Sequence, residues 1–182
     1  MRFVETAIDG VLVVEVEPRA DERGSFGRLF CTDELAAHGI DFSIAQMNVS
    51  ANHQAGTVRG LHYQRPPDGE IKLFRCTRGR TFHVGVDVRE GSPTYLQWVG
   101  VELAAGSGRS VLFPELFATG YQALTPDAEV TYAVTAPYAP ESEAGLRFDD
   151  PALAIEWPIE PNAVSDKDRR WPLVGRPQET PA

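Results

Sequence analysis

Cysteine, lysine, histidine and long apolar runs are all scarce in this chain. Its two cysteines, Cys31 and Cys76, are isolated and lack C-x-x-C spacing. That excludes a disulfide framework or a cysteine zinc site and predicts a reducing compartment. No apolar window reaches the length of a membrane span. The stretch MRFVETAIDGVLVVEVE has early acidic residues and only a short apolar run, unlike a signal peptide, so the expected location is the cytoplasm. Basic residues are outnumbered: 17 Lys and Arg against 26 Asp and Glu give a formal charge of −9 and a pI near 4.9. This balance argues against a nucleic-acid partner. An anionic small substrate would need a local arginine cluster within the acidic shell. With only four histidines, and Lys72 and Lys167 as the only lysines, a stretch that gathers these residue types is informative.

The 182 residues fit one domain, undivided by a Ser/Gly-rich linker or a long charge run. Residues 173–182 are expected to form an extended tail. No internal repeat is present. Residues 11–16 read as a strand, 19–24 (RADERG) as a polar turn, and 25–30 as a second strand. Thr32 is expected to cap a helix of about two turns, with Asp33 and Glu34 in its first turn and Gly39 as its stop. Residues 42–49, 81–88, 95–103, 110–113 and 130–135 read as further strands. Alternation places Gln46 and Asn48 on one face, His83 opposite Phe82, Val84 and Val86, and Tyr132 beside Val130 and Val134. Lys72 lies mid-strand in EIKLFRC on the face of Phe74 and Cys76. In SDKDRRWP, Ser165 and Asp168 have capping-box spacing for a short helical turn. Many short strands, Gly/Pro punctuation and little helix predict an all-β sandwich or barrel.

The stretch 56–73, GTVRGLHYQRPPDGEIKL, brings Arg59, His62 and Lys72 around a Pro-Pro turn. A metal-binding barrel of this kind would begin its ligand set with H-x-H, but Tyr63 and Gln64 follow His62. His38, His53 and His83 lack ligand-like spacing to it, so no metal is expected. A barrel interior without a metal must work with side chains, and a lysine in an apolar-walled cavity suits the developing charge of an enolate. Taken singly, each residue has an ordinary explanation. Lys72 can snorkel from an edge strand, His62 can be a satisfied structural histidine, and Tyr132 can be core with a bonded hydroxyl. Capping accounts for Asp168, surface charge for Arg23 and Arg59, and a solvated strand face for Gln46 and Asn48.

In combination, the chain resembles the dTDP-4-dehydrorhamnose 3,5-epimerase family. The resemblance runs in order through DERGSFGR, GTVRGLHYQ, the strand lysine, VDVREGSPTY, PELFATGYQAL, TYAVTAPYAPESEAG, DDPALAIEWP and SDKD. It implies an all-β, cupin-type jelly-roll barrel with a few short helices, a homodimer, no metal or other cofactor, and a nucleotide-linked 4-keto-6-deoxyhexose as substrate. By the same resemblance His62 is the base, oriented by Asp168. Lys72 stabilises the enolate oxygen and Tyr132 is the acid on the far face. Arg23 and Arg59 match diphosphate-binding positions, where guanidinium forks suit phosphate oxygens. Gln46 and Asn48 line the same pocket, and Tyr138 and Glu143 match the region that contacts the base. Two departures stand out. Where the family usually reads G-F-A-H-G-F, this chain has LFATGY, residues 116–121. Where the family has an aspartate in the strand before VDVR, it has His83. Leu116, Thr119 and His83 are therefore candidates for deciding which sugar is taken and whether one or both centres are inverted. The alternatives are a single-centre 3- or 5-epimerase of a secondary-metabolite pathway and a non-catalytic sugar-nucleotide-binding cupin. The second is disfavoured because binding alone needs no acid facing a base.

Overall fold

A computed structural model of the chain describes residues 1–175. Strands β1 (Arg2–Glu5) and β2 (Leu12–Glu15) precede a hairpin of β3 (Arg19–Asp21) and β4 (Gly24–Phe26), then helix α1 (Thr32–Ala37). The central run is β5 (Gln46–Asn52), β6 (Thr57–Gln64), β7 (Lys72–Arg78), β8 (Arg80–Asp87), β9 (Trp98–Ala104), β10 (Arg109–Phe113), β11 (Phe117–Ala123) and β12 (Ala128–Val134). Short strands β13 (Glu143–Gly145) and β14 (Ala163–Val164) and helix α2 (Asp166–Arg170) follow.

Two sheets form, ordered β1-β2-β10-β7-β12-β5 and β13-β6-β11-β8-β9, and β14 adds parallel to β6. From β5 to β12 the chain changes sheet at nearly every connection. The result is the expected all-β jelly-roll barrel of the cupin type. Its core is filled from both walls: Val13, Phe74 and Val111 come from one sheet and Leu103, Phe117 and Tyr121 from the other. Strand β8 shows how alternation is used. His83 points into the barrel between Phe74 and Tyr121. Phe82, Val84 and Val86 point outward, where Leu153, Ile155 and Trp157 cover them.

Several expected boundaries move, each for a local reason. Thr32 opens α1 without capping it; Cys31 is the N-cap residue and makes no side-chain cap. Glu34 in that first turn binds the N-terminal amino group at 2.5 Å and Arg28 at 2.6 Å. Strand β5 begins at Gln46 because Phe42 turns inward against Phe30 and Leu35. The expected turn at 19–24 is mostly hairpin, with Arg23 near its tip held by Asp21, and the strand expected over 25–30 stops at Phe26. Strand β9 starts at Trp98, since the Asp87 carboxylate accepts hydrogen bonds from Arg89, Ser92 and Thr94 and winds the connection into turns. The chain stays attached at Val174, whose N–H donates to Asp150 at 2.6 Å. Residues 176–182 of the expected tail lie outside the described residues. No described helix is long and apolar enough to cross a membrane.

Candidate active site

The barrel holds a cleft of about 680 Å³ whose walls include Arg59, His62, Lys72, Thr119, Tyr121, Tyr132, Lys167 and Asp168. An adjoining compartment of about 370 Å³ is lined by Gln46, Asn48, Glu70, Tyr138 and Glu143. His62, Lys72 and Tyr132 border both spaces.

Strand β6 presents His62, and helix α2 brings Asp168 to it. The helix is fixed by the expected cap: Ser165 Oγ accepts the N–H of Asp168 at 3.1 Å. Asp168 is buried, with Oδ1 2.6 Å from His62 Nε2 and Oδ2 accepting the Gly60 N–H at 3.3 Å. Burial opposes ionisation of this carboxyl, but the hydrogen bonds from His62 and Gly60 win and hold it below its ordinary value. A carboxylate at Nε2 assigns the ring proton there, leaving Nδ1 with its lone pair. Gly60 allows this close packing: a Cβ on it would lie 2.6 Å from the backbone of Gly120 on β11. On its other side the His62 ring meets Trp171 edge-on at 6.0 Å. The indole sits over Gly145, where a Cβ would come within 2.4 Å of it.

Tyr132 stands on β12, in the sheet opposite His62, and packs on Phe74 at 5.1 Å. Burial raises the pKa of its hydroxyl, which therefore carries its proton at neutral pH. Lys72 is no edge-strand lysine, because β7 lies between β10 and β12. Its Nζ donates to the His62 carbonyl at 3.0 Å and to Thr119 Oγ1 at 3.2 Å, and it pairs with Glu70 at 3.0 Å.

Arg59 reaches the same cleft, with Nε donating to Asn52 Oδ1 at 2.8 Å. Asn52 in turn donates to the Tyr121 hydroxyl at 3.2 Å, and that hydroxyl donates to Ser50 at 2.7 Å. In the adjoining compartment Gln46 accepts the Tyr138 N–H at 2.7 Å, and the Tyr138 hydroxyl donates to Glu143 at 3.0 Å. Lys167 closes that group with a 2.6 Å pair to Glu143. Asn48 lines the same wall, on the face it shares with Gln46.

Three expected site residues are not brought to these walls. Arg23 is 84% exposed on the β3–β4 hairpin and pairs with Asp21. His83 is fully buried, one layer behind Phe74 and Tyr121, with Nε2 2.9 Å from Thr81 Oγ1 and no partner for Nδ1. Leu116 occupies the turn before β11 with a φ of 59°. Of the candidate specificity residues, Thr119 alone lines the cleft. Residues not anticipated are Glu70, Asn52, Tyr121 and Lys167. Glu70 had a signal in its two-residue spacing from Lys72, and Lys167 in the rarity of lysine. Among the described residues no cluster of three or more His, Cys, Asp or Glu forms a metal-binding group.

The family model for dTDP-4-dehydrorhamnose 3,5-epimerase matches residues 5–175. The chain belongs to this epimerase family. A dTDP-4-dehydrorhamnose 3,5-epimerase from Sinorhizobium fredii is 42% identical over 175 residues, covering 96% of this chain and 90% of that relative. The crystal structure of the Bacillus anthracis epimerase, with TDP and PPi bound, superposes with a TM-score of 0.90 at 37% identity, covering 95% of this chain and 99% of that one. The 3,5-epimerase of Legionella pneumophila, in complex with dTDP-4-keto-L-rhamnose, gives 0.87 at 38% identity, over 94% and 92% of the two chains.

Proposed function

We propose that the cleft epimerises a dTDP-linked 4-keto-6-deoxyhexose at C3 and C5, with no cofactor. The observation that carries this is the opposition of His62 on one sheet, backed by Asp168 from helix α2, to Tyr132 on the other sheet, with Lys72 bordering the space between. A 4-keto group acidifies the hydrogens on both neighbouring carbons. His62 removes one of them, and the electron pair moves onto the ketone oxygen, where the Lys72 ammonium holds the enolate. Tyr132 returns a proton to the opposite face and so inverts the centre. Arg59 takes the diphosphate, whose charge suits a guanidinium fork. Tyr138, Glu143, Gln46 and Asn48 receive the nucleoside side.

The protein acts as a homodimer in the cytoplasm, and Arg23 serves the site of the second copy. This is supported by the exposed position of Arg23 beside Phe26, which is 79% exposed, and by Met47 and Val49, 67% and 66% exposed on edge strand β5. The two cysteines are free, in keeping with a reducing compartment.

The test is turnover of dTDP-4-keto-6-deoxyglucose in deuterated water. Label at two carbons is expected. Label at one carbon would make the protein a single-centre epimerase, and no label in folded protein would sink the proposal.

A further inference from the structure

Lys72 Nζ donates two hydrogen bonds, to the His62 carbonyl and Thr119 Oγ1, and faces one carboxylate, Glu70, at ion-pair distance. We propose that Glu70 is a positioning residue for this reaction: its carboxylate fixes the Lys72 ammonium while Thr119 gives up its hydrogen bond to the substrate's ketone oxygen. The inference rests on Lys72 being the group that receives the enolate charge.

The Glu70 and Lys72 side chains are 11% and 10% exposed, and their charged atoms are 3.0 Å apart. An ammonium so far removed from water requires a counter-charge, and the requirement sharpens once a substrate excludes solvent. Among the described residues Glu70 is the carboxylate within ion-pair distance of Lys72. Of the other titratable groups around the cleft, Asp168 on α2 is engaged with His62 on β6, and Tyr132 on β12 is a neutral phenol. Glu143 on β13 is held by Lys167.

The three partners of Lys72 are not equally replaceable. The His62 carbonyl belongs to strand backbone, and Glu70 carries the charge. Thr119 contributes a neutral hydroxyl, which itself donates to the His62 carbonyl at 3.3 Å. It is the partner a substrate oxygen displaces with least loss. Glu70 and Lys72 flank Ile71, whose N–H donates to Thr135 Oγ1 at 2.9 Å and whose carbonyl accepts the Thr135 N–H at 3.2 Å. The backbone between them is thus pinned to the end of β12, and the two side chains emerge on the same side.

The experiment compares Glu70→Gln, Glu70→Asp, Thr119→Val and Lys72→Ala by steady-state kinetics and solvent-deuterium exchange, with circular dichroism to verify folding. Glu70→Gln is expected to lower kcat roughly 10- to 100-fold with KM within about threefold, because it acts on the lysine that meets the transition state. Glu70→Asp should lie between it and the parent, and Thr119→Val should lower kcat less than Glu70→Gln does; an equal or larger loss in Thr119→Val would overturn the ranking of the two partners. Should Glu70→Gln not fold, the loss in Glu70→Asp carries the test. Unchanged kinetics in both Glu70 variants overturn the inference. So does a rise in KM alone, which would make Glu70 a ligand for a sugar hydroxyl. Loss of exchange to the level of His62→Ala would make Glu70 a base and also overturn it. Lys72→Ala separates the two levels: if it retains parental activity, the assignment of the lysine fails, whatever Glu70 does.

Discussion

Asp168 Oδ1 lies 2.6 Å from His62 Nε2, although 106 positions of chain separate the two residues. The short capped helix makes this meeting reproducible, and the carboxylate selects which ring nitrogen is left to take a proton. Asp168→Asn keeps the shape of the contact but removes the charge that selects the tautomer. A fall in kcat of about 10²- to 10⁴-fold is expected, with substrate binding largely retained. His62→Ala should abolish deuterium exchange; substantial residual exchange would show that another group is the base.

As the proposed acid, Tyr132 divides the reaction into halves that can be measured separately. Tyr132→Phe leaves His62 and Lys72 in place, so proton removal continues while delivery to the opposite face fails. Deuterium should therefore enter unconverted substrate faster than epimerised product appears, and product formation should drop at least about 100-fold. Equal losses in exchange and epimerisation would remove the assignment of Tyr132 as the acid.

His83 makes a prediction about stability. Burial lowers its pKa to about 3, from an ordinary value of 6.5. Between those values the unfolded chain binds a proton that the folded protein excludes, so stability rises with pH across the window and falls as pH drops from 6.5 toward 3. The limiting slope for one such group is about 1.4 kcal/mol per pH unit. Asp168 acts lower in pH: its depressed carboxyl stabilises the fold above about pH 4, and that contribution is lost as pH falls through its folded value. Thermal denaturation between pH 7 and 4.5 should thus show a declining Tm, with a shallower decline in His83→Gln. Parallel curves for the two proteins would refute a buried neutral histidine as the source.

Arg23 tests the assembly. Arg23→Ala should raise KM about tenfold with a smaller change in kcat, as removal of a phosphate contact does. In the proposed dimer Phe26→Asp should shift the protein toward monomer in sedimentation and raise KM as well, by withdrawing the second copy's arginine. A Phe26→Asp monomer with parental KM would show that each chain serves its own site.

The period-two pattern was legible wherever burial on one face is enforced locally. It placed Lys72 with Phe74 and Cys76, Tyr132 with Val130, and Gln46 with Asn48, and the structure keeps those faces even where strand ends moved. The cap at Ser165 was equally local and holds. Strands β3, β13 and β14 were not legible, since runs of two or three residues exist only through their partners. Neither were β1, β6 and β11: β11 is buried on both faces and β6 is buried without alternation, so no period of two marks them. His83 shows the limit of face assignment: alternation sets it opposite Phe82, but only the packing of Phe74 and Tyr121 decides that it lies behind the cleft wall.

By itself the sequence determined the class of fold, the residue types available for proton transfer and the family to which they point, because periodicity, capping and motif order are written in neighbouring residues. Tertiary structure decided which of those side chains meet. The His62–Asp168 contact joins strand β6 to helix α2, while the Tyr121–Asn52–Arg59 chain and the place of Thr119 beside Lys72 arise where strands from opposite sheets converge. No local pattern encodes these distances, which follow from the register and packing of the whole barrel.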